Sequence, residues 1–130
     1  MKLDHIALAV ENISKVANLF ENLGISFEDQ EQILKAQGIT YRHSKDHLIE
    51  LISPLKDSHL QRFLDKLGDS FHHLSFSCSN IEKKCLELKN KGFEFVYEKP
   101  ITGAHGKEVN FLHPKSTGGF LIEISQEEKK

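Results

Sequence analysis

The chain has 130 residues, of which 38% are hydrophobic and 28% charged, as expected of one globular domain or of two half-domains. A net charge of −2 argues against a nucleic-acid partner, which would require a broad basic face. Two cysteines are too few for a disulfide framework and indicate a reducing compartment. No signal-peptide pattern and no apolar run near the roughly 20 residues of a membrane span is present, so we expect a cytoplasmic protein without a membrane partner.

The first half of the chain predicts one strand, one helix and three further strands. Alternating apolar residues from Ile6 to Val10 predict the first strand. Apolar residues at helical spacing follow, with Asn12 as N-cap and Gly24 at the end, where a residue tolerant of positive φ is needed. The three later strands are predicted at Ile25–Glu28, Ile39–His43 and Leu48–Ile52. A helical linker is then predicted at residues 57–67, with Gly68 as its end.

The second half repeats the first at a shift of 68 positions. Asp4-His5-Ile6 falls on His72-His73-Leu74, Asn12 on Asn80 and Gly24 on Gly92. The last strands match at a shift of 73, which places five extra residues in a loop within 113–119. A Ser79-x-x-Glu82 capping box is predicted before the second helix. The later strands of this half are predicted at Phe93–Tyr97, Glu108–Leu112 and Phe120–Ile124.

These patterns predict an α+β fold made of two βαβββ modules, at about 1–55 and 70–126, within a single domain 1–130. His5 and His73 occupy the same place on the first strand of each module, and Glu50 and Glu123 the same place on the last strand. If the modules pair side by side, these four residues meet in one cleft. Imidazoles and carboxylates together suit a divalent ion such as Co²⁺, Zn²⁺, Ni²⁺ or Mn²⁺.

The two glutamates carry much of this metal hypothesis. Each lies within an apolar run, and no lysine or arginine in the same strands compensates its charge. His72 should point to the opposite face from His73 and have a structural role. The other histidines are interpreted as surface or loop residues, with those of the second module either lining the cleft or solvated: His43, His47, His59, His105 and His113. Cys78 and Cys85 are interpreted as apolar core residues.

Three segments of the second half resemble a known family. They are Phe71–Phe76, Gly103–Lys107 and Phe111–Glu123. The paired modules with His and Glu ligands resemble the vicinal oxygen chelate (glyoxalase/bleomycin resistance-like) superfamily, and the second half is most similar to the methylmalonyl-CoA epimerase family. The third segment is the most specific, because other branches typically have a shorter turn where this chain has the five extra residues. The first half matches more loosely.

The resemblance implies metal-dependent epimerisation of methylmalonyl-CoA at C2, by proton abstraction and redelivery through a metal-stabilised enediolate. It implies a glyoxalase-like fold with a divalent metal ion, Glu123 and Glu50 as the catalytic groups, and an acyl-CoA substrate. The implied metal ligands are His5, Glu50, His73 and Glu123. The candidate coenzyme A contacts are Lys107, Lys115 and Ser116. The chain departs from the family at Tyr41, where some members carry the glutamate that acts as the second base.

Two other classes of function stay open. A glyoxalase I-like lactoylglutathione lyase, or another enzyme of the superfamily, can use the same four ligands, although the loop His113–Gly119 favours the epimerase. A non-catalytic small-molecule-binding module of the resistance type often lacks the complete set of ligands, and this chain has all four. Since many relatives dimerise, a homodimer is also expected.

Overall fold

The computed structural model describes residues 1–56 and 58–128. Asp57, with which the predicted linker helix begins, lies outside the described residues, as do the last two lysines. The described residues form eight strands and three helices, and they divide into two compact units. One unit spans His5–His72; the other contains Met1–Asp4 and the chain from His73 onward.

The unit of residues 5–72 contains a four-stranded mixed array in the order β2-β3-β4-β1. Its strands are β1 (Lys2–Ala9, of which the first three residues belong to the other unit), β2 (Gln32–Leu34), β3 (Ile39–His43) and β4 (Ile49–Pro54). Its helices are α1 (Ile13–Asn22) and α2 (His59–Leu67). β1 and β4 pair in parallel, while β2–β3 and β3–β4 are antiparallel.

Helix α1 covers one face of this array and closes the core of the unit. The Asn12 side chain accepts a hydrogen bond from the Lys15 N–H at 3.0 Å, which confirms the predicted N-cap. Ile13 and Ala17 are buried against Phe27, among the largest fully buried side chains, and Leu51. The burial of such apolar side chains contributes roughly 1.5–3 kcal/mol each.

The unit that begins at His73 has the same order of pairing, β5-β8-β7-β6. Its strands are β5 (Ser70–Cys78, of which the first three residues belong to the other unit), β6 (Ile101–Thr102), β7 (Glu108–Leu112) and β8 (Ile122–Gln126). β5 and β8 pair in parallel and the other two pairs are antiparallel. Helix α3 (Ile81–Asn90) crosses between β5 and the later strands, as α1 does in the first unit. Short 3₁₀ turns lie at Lys35–Gln37, Ala104–Gly106 and Pro114–Ser116.

The core of this second unit is formed by Cys78, Ile81, Cys85 and Ile124. Burial raises the pKa of the Cys78 and Cys85 thiols, which favours their neutral form. Both cysteines are therefore apolar core residues, as predicted. None of the helices within residues 1–56 and 58–128 has the length and apolar composition of a membrane span.

Two predicted strands, Ile25–Glu28 and Phe93–Tyr97, are wrong. Phe27 makes a single bridge to Ser44, and Phe95 a single bridge to Leu112, without continuing into a ladder. In each case a buried or half-buried phenylalanine packs beneath the helix of its unit. Only isolated backbone hydrogen bonds accompany this packing, such as those from the Glu28 N–H to the His43 C=O and from the Val96 N–H to the Phe111 C=O. The outer strands of the two units come later in the chain, as β2 and β6.

Two predicted boundaries also differ from the structure. The predicted capping box is wrong: Asn80, not Ser79, caps α3, and its side chain accepts from the Lys83 N–H at 3.1 Å. This cap is the repeat counterpart of Asn12. The last strand begins at Ile122 rather than Phe120, because Gly118 and Gly119 have φ of 72° and 101° and turn the chain before it.

The side chain of a buried asparagine takes the place of a backbone hydrogen-bond partner at Tyr97. The Asn110 side chain, fully buried on β7, donates to the Tyr97 C=O at 2.9 Å and accepts from the N–H groups of Tyr97 and Phe111 at 3.2 and 2.8 Å. These bonds satisfy backbone groups that no ladder pairs.

Asn110→Ala is therefore expected to destabilise the protein by about 1–3 kcal/mol, since it leaves buried backbone groups without partners. Urea unfolding measures this loss. Asn90→Ala, at the exposed end of α3, is the matched control and should change stability by less than about 0.5 kcal/mol. Equal stability of the two variants would contradict the role given to Asn110.

Candidate active site

The first pair of predicted ligands lies inside the unit of residues 5–72. The parallel register sets Ala7 of β1 beside Glu50 of β4, and His5, two residues before Ala7, projects from the same face. His5 Nε2 lies 3.6 Å from Glu50 Oε2, and the two residues are only 6% and 4% exposed. The fold thus brings this histidine and this glutamate together in a buried environment.

His43 belongs to the same cluster, and its interpretation as a surface or loop residue is wrong. It is 4% exposed and lies on β3, directly across the antiparallel ladder from Glu50. Its Nε2 lies 2.7 Å from Glu50 Oε2. An ionised carboxylate only accepts hydrogen bonds, so the donor to Glu50 in that state would be an N–H at His43 Nε2. His43 is buried because its side chain, like those of Ile39 and Tyr41, lies on the buried face of β3.

Tyr41 lies beside this cluster. It is buried on the same face of β3, two residues before His43, and the two rings are 5.2 Å apart. The residue that departs from the family pattern is therefore next to the His5–Glu50 pair and not remote from it.

The second pair of predicted ligands lies in the unit that begins at His73. The β5–β8 register sets Ser75 beside Glu123, and His73, two residues before Ser75, projects from the same face. His73 Nε2 lies 4.0 Å from Glu123 Oε2, and the two residues are 3% and 6% exposed. The geometry repeats that of His5, Ala7 and Glu50 in the first unit.

The surroundings of the two glutamates differ. Across the antiparallel ladder from Glu123 stands Phe111, where the first unit has His43 opposite Glu50. Phe111 also packs edge-to-face on His73, with ring centroids 5.6 Å apart. The first glutamate thus has an imidazole donor as its cross-strand neighbour, and the second has a phenyl ring.

The remaining histidines belong to neither of the two predicted His–Glu pairs. His72 is half-buried and packs edge-to-face on Phe63 of α2 at 4.8 Å, which agrees with the predicted structural role. Burial lowers the pKa of His72 to about 4, so the ring is neutral at physiological pH. His47 pairs with Glu28 at 2.9 Å on the surface. The other three are exposed: His59, His105 and His113.

The candidate coenzyme A contacts lie on the surface of the unit that begins at His73. Lys115 Nζ lies 2.9 Å from a Glu94 carboxylate oxygen, and its hydrogen bond lowers the pKa of that carboxyl. The Ser116 hydroxyl accepts from the Glu94 N–H at 3.0 Å. Lys107 Nζ lies 3.6 Å from Asp4. Lys115 and Ser116 are thus brought together at Glu94, while Lys107 is paired elsewhere.

The sequence similarity of this chain to known proteins extends over nearly its whole length. A protein of Bacillus subtilis named uncharacterized protein YqjC is 32% identical over 128 residues, which is 96% of this chain and 91% of that protein. The mitochondrial methylmalonyl-CoA epimerase of Homo sapiens is 33% identical over 129 residues, covering 96% of this chain and 73% of that protein.

A solved structure extends the similarity to the fold. The crystal structure of methylmalonyl-CoA epimerase from Mycobacterium tuberculosis matches with a TM-score of 0.92 and 30% identity, over 98% of this chain and 89% of that one. This agreement confirms the predicted glyoxalase-like α+β fold and the predicted resemblance to methylmalonyl-CoA epimerases. Residues 4–111 match the model of one protein family. The chain belongs to the Glyoxalase/Bleomycin resistance protein/Dioxygenase superfamily.

Proposed function

We propose that this chain is a metal-dependent epimerase that interconverts the C2 epimers of methylmalonyl-CoA. The observation that carries the proposal is the buried His–Glu pair found at the same ladder position in each unit, His5 with Glu50 and His73 with Glu123. The names of the human and mycobacterial relatives supply the substrate.

The donor chemistry of the two pairs fits a divalent ion. Two imidazole nitrogens and two carboxylates are ligands that Co²⁺, Zn²⁺, Ni²⁺ and Mn²⁺ accept, and burial of both carboxylates favours a cation that compensates their charge. In the proposed site His5, Glu50, His73 and Glu123 jointly hold the ion. When bound, the ion supplies positive charge beside the oxygen of the enediolate that proton removal creates.

Glu123 is the proposed base. The C2 proton lies between a thioester and a carboxylate, and inversion requires its removal from one face and delivery to the other. Each positioned acid or base contributes typically about 10²–10⁴-fold to such a step. Glu123 removes or returns the proton on one face. Glu50 is the proposed group for the other face, and Tyr41, which stands where some relatives have a glutamate, lies close enough to this cluster to assist it.

Binding of the coenzyme A portion is assigned to the outer loops of the second unit. We propose that Lys115 and Ser116, near one another at Glu94, contact its phosphates, with Lys107 as a further cation. Lys115 is exposed and its partner Glu94 is exposed too, so the ion pair can open to a phosphate at little cost.

Exchange of the C2 proton tests the proposed function. Metal-replete protein with methylmalonyl-CoA in D₂O is expected to incorporate deuterium at C2, which mass spectrometry detects. Succinyl-CoA and the hemithioacetal of methylglyoxal and glutathione serve as comparison substrates. Turnover of the hemithioacetal without exchange into methylmalonyl-CoA would identify a glyoxalase I-like lyase instead. Failure to take up metal would favour a binding module.

A further inference from the structure

Glu50 has a hydrogen-bonding residue, His43, as its cross-strand neighbour, whereas Phe111 occupies the corresponding position opposite Glu123. His43 Nε2 and Glu50 Oε2 are 2.7 Å apart, and both side chains are nearly inaccessible to water. A hydrogen bond from an imidazole to a buried carboxylate is charge-assisted and strong. A carboxylate has about four lone-pair positions, so accepting this bond leaves Glu50 able to bind a cation as well.

The His43 ring is itself held in place. Three rings pack near it: the centroids of Tyr41, His47 and His5 lie 5.2, 5.6 and 5.9 Å from that of His43. Its backbone is fixed in the β3–β4 ladder directly opposite Glu50. A donor that is buried and packed in this way can fix the orientation of the group that it contacts.

From this geometry we propose that His43 is a positioning residue: it orients the Glu50 carboxylate as a metal ligand. The proposal rests on the metal site put forward under the proposed function. Groups that hydrogen-bond a metal ligand set its orientation and typically contribute 10–100-fold to metal affinity. The role is specific to the first unit, because the residue across the ladder from Glu123 is Phe111, whose side chain has no hydrogen-bond donor.

The matched pair of substitutions follows from the internal repeat. The second unit has Phe111 at the position that corresponds to His43. His43→Phe therefore copies that residue, removes the hydrogen-bond donor and keeps an aromatic ring. His43→Gln keeps an N–H donor, and His59→Gln, at an exposed histidine outside the cluster, is the control. Should His43→Phe fail to fold, His43→Ala removes the donor without adding bulk.

Cobalt affinity is the measurement. Each protein is stripped with a chelator, its thermal melting is recorded without metal, and Co²⁺ is titrated against a competing chelator. We expect His43→Phe to bind Co²⁺ about 10–100-fold more weakly than the unmodified protein, His43→Gln to recover most of that loss, and His59→Gln to be unchanged. A lower melting temperature alone, with the same Co²⁺ affinity, would indicate a purely structural role and overturn the proposal.

The visible spectrum of the Co²⁺ form separates positioning from direct ligation. If His43 only orients Glu50, the bands of His43→Gln stay where they are in the unmodified protein. A shift of these bands would make His43 itself a ligand and overturn the proposal. If the unmodified protein binds no Co²⁺, the metal centre of the proposed function fails, which is a different result from equal binding by all variants.

Discussion

Glu123→Gln is expected to abolish deuterium exchange at C2 of methylmalonyl-CoA. The substitution removes the negative charge of a proposed ligand and the group proposed to take the proton, while the shape of the side chain is kept. Loss of the acid–base function alone corresponds to about 10²–10⁴-fold in rate, and loss of the ligand charge adds to it. The rate of exchange in D₂O, followed by mass spectrometry, measures the effect.

The matched control for this substitution is Glu108→Gln. Glu108 is exposed on β7, a neighbouring strand of the same unit, so its amide variant changes the net charge equally without touching the His73–Glu123 pair. We expect its exchange rate to equal that of the unmodified protein. If Glu123→Gln retained full exchange, Glu123 would be neither base nor essential ligand, and the assignment of the reaction to this pair would be lost.

His73→Ala is expected to lose both the metal and the exchange activity. It removes one of the two imidazoles proposed as ligands, and the loss of a ligand should exceed the 10–100-fold effect of an outer hydrogen-bonding group. Metal content after gel filtration, measured by mass spectrometry of the elements, gives the first result, and C2 exchange gives the second.

The adjacent histidine provides a control within the same strand. His72 packs on Phe63 and is neutral at physiological pH, and it projects from the face opposite to His73. His72→Ala should therefore lower the melting temperature while leaving metal content and exchange unchanged. Loss of metal in both variants, or in neither, would contradict the proposal that His73 is a metal ligand and His72 is not.

The internal repeat made much of the candidate site predictable. It placed His5 and His73 at equivalent positions on first strands and Glu50 and Glu123 at equivalent positions on last strands, and the parallel ladders bring each histidine near its glutamate. Because the two halves repeat one pattern, a residue of one half has a counterpart in the other, and this correspondence can be inferred without coordinates.

His43 could not be found in the same way. Its partner, Glu50, lies across an antiparallel ladder, and the register of that ladder depends on the turn between the two strands, which the apolar pattern does not specify. The internal repeat does not indicate His43 either, because the equivalent residue of the second half is Phe111. The signal that was available is the alternation of Ile39, Tyr41 and His43 along one buried face of β3.

The strand errors have a related cause. Phe27 and Phe95 lie in short apolar runs that match the strand pattern, yet each makes only one bridge. Burial of a single large ring and a polar side chain such as Asn110 can hold a segment without a ladder. Short apolar runs do not distinguish these two arrangements.

In both units the histidine and the glutamate lie on the two strands that pair in parallel, β1 with β4 and β5 with β8. For such strands to pair, the chain between them must first close a long loop, and this costs conformational entropy before any contact stabilises the pair. These pairings are therefore expected to form late in folding. The unfolded chain then has neither pair assembled and would bind the proposed ion weakly. Saturating metal should consequently raise the melting temperature with ion concentration and slow unfolding more than it accelerates refolding.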